Sequence, residues 1–169
     1  MSAKVFRTVS AAFAVLAGLS VAAASAAAFG LTGIGGKIGY HKPEDVDGTL
    51  VYSLHAELEQ AGSQFHIIPA FAMWDEGGIQ DLNPNVDVYY HFGSQTTVTP
   101  YVGAGGGLHF YSVELPGGGS DDSMDPSLNL LAGLRVPMDQ THWFLEGRYA
   151  LTDLGQGSLV IGFTYNLGQ

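Results

Sequence analysis

Residues 100–112 read PYVGAGGGLHFYS, with glycine at 103, 105, 106 and 107 between a Tyr-Val pair and a His-Phe-Tyr run. A glycine-rich phosphate loop would lead into a helix and close on Lys-Ser or Lys-Thr, and nothing of that kind follows here. Read as a strand, the segment places Tyr101, Gly103, Gly105, Gly107, His109 and Tyr111 on one face and Val102, Ala104, Leu108 and Phe110 on the other. Bare glycines on one face of a strand make room for large side chains from neighbours. Tyr89 and Phe144 are the expected covering rings.

The same two-residue period recurs along the chain. It runs over Ile34–His41, Leu50–Glu59, Gln64–Met73, Val86–Phe92, Ser127–Val136, His142–Leu151 and Ser158–Leu167. With the opening stretch these make eight strands, most close to the ten or so residues a tilted strand needs to cross a bilayer. No helical stripe of useful length interrupts them. Three connections are short, at 60–63, 93–95 and 138–141. Four are longer and mostly acidic, at 42–48, 75–85, 114–125 and 152–157. Strict alternation of short and long connections predicts an antiparallel up-and-down barrel with turns at one mouth and loops at the other.

The faces decide between a soluble and a membrane barrel. The polar face is not a charged solvent coat but a sparse set of small residues with Glu59, Asp87, four or five histidines and, as the candidate network, Lys37, Glu57, Arg135, Glu146 and Arg148. Such a face suits a narrow filled lumen, where an unpaired ion is costly, so these five residues are expected to form an internal ion-pair network. Aromatics on the apolar face gather at both strand ends, with Phe65, Phe92, Trp143 and Tyr165 near the short turns and Tyr40, Tyr52, Phe110 and Tyr149 near the loops. Two interfacial girdles are the predicted result.

Residues 1–28 have a basic start, an apolar middle and Ala-x-Ala endings, the pattern of a cleaved signal peptide, leaving a barrel domain over 29–169. That domain carries 16 acidic residues against four Lys and Arg, a formal charge of −12 with histidine neutral. Nucleic acid is excluded as a partner by this balance. The absence of cysteine excludes thiol catalysis and cysteine-ligated metals.

The signal peptide, the eight strands, PYVGAGGGLHFY, WFLEGRYAL (143–151) and GSLVIGFTYNLG (157–168) together resemble the small eight-stranded outer-membrane barrels of Gram-negative bacteria, the OmpA, OmpX and opacity-protein-like group. That resemblance implies an all-β, eight-stranded antiparallel transmembrane barrel in the outer membrane. Its implied partners are membrane lipid and lipopolysaccharide, with periplasmic chaperones and the barrel assembly machinery during biogenesis, and its implied state is a monomer. Gly162, Tyr165 and Leu167 match three places of the terminal signal read by that machinery. Val160 stands where a polar residue is usual, and Gly168-Gln169 follow where a terminal aromatic is usual.

Chemical alternatives weigh less. The six histidines, at 41, 55, 66, 91, 109 and 142, lie on separate strands without ligand spacing and read as hydrogen-bonded lumen residues rather than a metal site. The His-x-Ser arrangement of the barrel family's lipid A deacylase is missing. The expectation is therefore a non-enzymatic barrel, without cofactor, catalytic residues or metal, that supports the envelope and presents acidic loops for interaction or adhesion. Those loops carry Glu44, Asp45, Asp47, Asp75, Glu76, Asp81, Asp121, Asp122 and Asp125. A narrow pore is the first alternative and a lipid A-modifying enzyme the second.

Overall fold

The structure is a computed structural model that describes residues 29–44, 47–93, 97–115, 119–152 and 155–168. The predicted signal peptide, 1–28, and Asp45 lie outside these residues. Eight strands follow one another as β1 (Gly30–Pro43), β2 (Thr49–Glu59), β3 (Phe65–Glu76), β4 (Ile79–His91), β5 (Thr99–Glu114), β6 (Ser120–Met138), β7 (Thr141–Leu151) and β8 (Gln156–Asn166). Each pairs antiparallel with the next, and β1 closes on β8 from Gly33 opposite Asn166 to Pro43 opposite Gln156.

Burial is inverted relative to a soluble barrel. Leu54, Leu130, Leu145, Leu159 and Ile161 are exposed on the outside, whereas Glu146 and Asp87 are fully buried within. An outward apolar face belongs against hydrocarbon, with the polar residues held in the lumen. At the end where the short turns lie, Phe65, Tyr90 and Phe92 touch in sequence at 5.0 and 5.1 Å between ring centroids, and Trp143 packs on Phe163 at 5.7 Å. Tyr90 and Tyr165 donate their hydroxyls to Gln64 and Gln140 beside the turns, so each ring keeps its body in the apolar band and its tip in the wet zone.

Two of the expected long loops are strand instead. The stretch 75–85 contains only a two-residue turn, Gly77-Gly78, with both φ angles positive at 62° and 78°. This is the backbone that best matches the right-handed twist of paired strands, and glycine enters it freely. Likewise β6 begins at Ser120, so 114–125 shrinks to a short connection. Neither stretch shows hydrophobic alternation: 120–124 are exposed on both faces, and the inward positions of 81–85 are the buried polar residues Asp81, Asn83 and Asn85. Asp81, expected in a loop, lies on β4 and is 1% exposed in the lumen.

Prolines within strands are accommodated locally. Pro84 on β4 has no N–H to offer β5, and the adjacent Asn83 side chain donates to the Leu108 carbonyl at 3.2 Å.

The lumen is narrow enough that large side chains sit over glycines. A methyl group at Gly103 would lie 2.9 Å from the Tyr89 ring, as expected from the sequence. Phe144, the other expected cover of β5, instead lies over Gly162 on β8, and Tyr101 lies over Gly133. Gly105 and Gly107 of β5 are covered by Asp87 and by Asn83 and Asn85, not by rings. Gly162→Ala is thus expected to cost about 1–3 kcal/mol in urea unfolding from lipid vesicles, the usual cost of overpacking. Gly106→Ala, on the outer face, serves as the contrast and should change stability by less than about 0.5 kcal/mol.

Candidate functional site: the polar plug of the lumen

The five residues expected to form one network divide between two. In the middle of the barrel, Glu146 on β7 accepts from Lys37 Nζ on β1 at 3.0 Å and from the hydroxyls of Tyr89 and Tyr101 at 2.7 and 3.0 Å. Lys37 also donates to Tyr89 at 2.9 Å and lies 5.5 Å from the centre of the Phe144 ring. Arg148 reaches Glu146 at 3.5 Å and forms an ion pair with Asp87, which is held in turn by Asn129 at 3.1 Å. Tyr89 and Tyr101 stack with their planes 12° apart. In this layer every formal charge meets an opposite one, as an apolar-walled interior requires.

Glu57 and Arg135 belong to a second cluster nearer the short turns. Glu57 Oε1 lies 3.0 Å from Arg135 and 2.6 Å from His66 Nδ1, and its Oε2 lies 3.2 Å from His142 Nε2. Arg135 also donates to His142 Nδ1 at 2.9 Å, so the His142 ring donates to Glu57 through Nε2. Toward the other mouth, Asp81 Oδ2 accepts from Trp74 Nε1 at 2.9 Å and lies 2.6 Å from His109 Nδ1. All six histidines are buried.

Asp87, Tyr101, Asn129, His66 and His142 complete these clusters without having been singled out as members. Parity along each strand places them inward, but β4 and β7 are not neighbours, and only the closed barrel brings Asp87 to Arg148 across the lumen. The terminal residues also find their places. Gly162 lies under Phe144, Tyr165 stands in the girdle, and Leu167 bonds through its N–H to the Thr32 carbonyl at 2.8 Å.

Two cavities flank the central layer. The one toward the outer mouth has about 50 Å³ and the one toward the short turns about 20 Å³, with Lys37 lining both. These have room for a few waters and for about one or two respectively, since each water needs roughly 10–15 Å³. Between them stand Lys37, Glu146 and the two tyrosines.

This is the fold of the small eight-stranded outer-membrane barrels. Solved structures similar to the chain include Neisserial surface protein A, with 16% identity and a TM-score of 0.70, covering 80% of this chain and 96% of that one. The N-terminal β-barrel domain of Pseudomonas aeruginosa OprF is similar at 13% identity and a TM-score of 0.62, covering 82% and 99%. Ail, the attachment invasion locus protein of Yersinia pestis, solved in complex with the heparin analogue sucrose octasulfate, is similar at 21% identity and a TM-score of 0.52, covering 81% and 100%. No family model and no curated protein matches the chain.

Replacing Glu146 by Leu strands Lys37 in the interior and is expected to cost about 3–5 kcal/mol or to abolish folding. In a double-mutant cycle, Lys37→Met with Glu146→Leu should lose measurably less than the two single changes added together. Unfolding from vesicles, followed by the gel mobility of unboiled samples, reads both outcomes.

Proposed function

We propose that the chain is a non-enzymatic barrel of the Gram-negative outer membrane that contributes to envelope structure and presents an acidic outer rim for interaction. The observation that carries this reading is the combination of an apolar outer wall with a lumen blocked at mid-height by Glu146 and its partners. Such an interior is a packed core rather than a passage, as eight-stranded barrels are just wide enough to be filled by side chains. The pore alternative has the central layer against it. Against the enzyme alternative stands the burial of all six histidines in the lumen, away from the lipid-facing surface.

At the outer mouth, Glu44, Asp47, Asp75, Asp121 and Asp122 are exposed. Cationic partners, or divalent ions bridging lipopolysaccharide phosphates, suit such a rim. A polyanion such as the heparin analogue bound to Ail meets repulsion there. Gly162, Tyr165 and Leu167 keep the role that the resemblance implies, a terminal signal for the assembly machinery. Phe144 supplies a packing reason for the glycine as well.

In a planar bilayer the purified barrel should give no steady ion-selective openings. Its band in the membrane fraction should migrate differently when boiled and unboiled. Regular conductance steps would replace this reading with the pore, and a chain soluble without detergent would remove the membrane altogether.

A further inference from the structure

At the mouth bearing the short turns, Glu57 and Glu59 lie two residues apart on the inward face of β2, and His66 on β3 is the register partner of Glu59. His66 Nδ1 stands 2.6 Å from Glu57 Oε1 and 3.1 Å from Glu59 Oε1. The three ligand atoms all lie within 4.8 Å of one another. One ring nitrogen therefore faces two carboxylate oxygens, and a single hydrogen there has two acceptors to serve.

A second observation points to the same place. His91 on β4 is 9% exposed, its ring centre is 4.1 Å from that of His66, and its Nδ1 has no hydrogen-bond partner. His91 lines the inner cavity together with Glu57. A buried ring nitrogen without a partner carries a desolvation cost that a ligand would relieve.

We propose that Glu57, Glu59 and His66, with His91 beside them, form a binding site for a divalent transition-metal ion of the zinc type. The donor set is mixed nitrogen and oxygen, which suits Zn²⁺ or Co²⁺ and not the all-oxygen preference of Ca²⁺ or Mg²⁺. Binding takes the hydrogen off His66 Nδ1, either as a proton released to solvent or by shift to the tautomer protonated on Nε2, and the freed Nδ1 lone pair goes to the metal. Glu57 has lone pairs enough to keep Arg135 and His142 as outer partners that orient it, as ligating carboxylates commonly are oriented. With the imidazoles neutral, two carboxylates against one guanidinium leave the pocket with a net charge of −1, which attracts a cation. The Glu59 side chain is 25% exposed and gives the ion a way in from the short-turn mouth. Once bound, the ion clamps β2 to β3 where their connecting turn leaves the wall.

The test titrates the full chain, folded in detergent micelles, with Zn²⁺ by calorimetry and with Co²⁺ by visible absorption. One saturable equivalent is expected, with Co²⁺ bands of nitrogen and oxygen ligation. His66→Ala and Glu59→Gln should each weaken binding by about tenfold or more. His41→Ala, at the other end of the lumen, should leave it unchanged. The gel mobility of unboiled samples confirms folding of each variant, and if His66→Ala does not fold, Glu59→Gln decides, being part-exposed. Absence of saturable binding or of Co²⁺ bands in the unaltered chain overturns the proposal. Equal affinity in Glu59→Gln overturns it too, because the ion is then held by other histidines.

Discussion

Hydrocarbon offers no hydrogen-bond partner, so every backbone N–H and C=O that faces it must be satisfied within the sheet. The ladder between β1 and β8 is what meets that demand here, because it removes the two edges an eight-stranded sheet would otherwise expose. Once the sheet is closed, its two faces have different solvents. The outer face takes leucines, isoleucines and aromatic girdles, and the inner face takes whatever fits into a tube of eight strands.

The inner limit is volume. Side chains from opposite walls meet, so each large ring needs a bare backbone position to lie against, as Tyr101 has at Gly133 and Phe144 has at Gly162. Charge obeys the same economy of space. Glu146 is 0% exposed and receives a lysine, an arginine and two tyrosine hydroxyls from strands on different sides of the barrel. The layer thus joins β1, β4, β5 and β7 through one carboxylate, and its geometry depends on the relative heights that closure sets.

That dependence on closure explains what the sequence made legible. Alternation identifies each spanning segment and its inward face, so Val102, Ala104, Leu134 and Ile161 are placed outward by parity alone. Which charge meets which depends on register and on the stagger of the closed barrel. For that reason Glu57 was grouped with Lys37, although it lies with Arg135 and His142. The misread stretches, 75–85 and 114–125, failed for a different cause. In 120–124 both faces are exposed, in 81–85 the inward face is polar although buried, and in either case the hydrophobic period vanishes, leaving Gly77-Gly78 as the sign of a two-residue turn. Asp81 was lost in the same way, since a polar residue among polar neighbours gives no hint that it bonds Trp74 and His109 in the interior.

The wall does not have one height. β6 pairs with β7 only from Leu128 onward, and Ser120–Ser127 pair with β5 alone. On that flank β6 is the free edge of a sheet that continues through β5 into β4, where Ile79–Leu82 pair with Phe110–Val113, so one side of Ser120–Ser127 is left unshared above the rim. The molecule is accordingly firm in its membrane zone and soft at a single crest. Amide hydrogens of the crest will exchange through local opening while the closed cylinder beneath stays protected. The rim at this mouth is then lopsided, and its tallest stretch is the one that ends in an unshared strand edge.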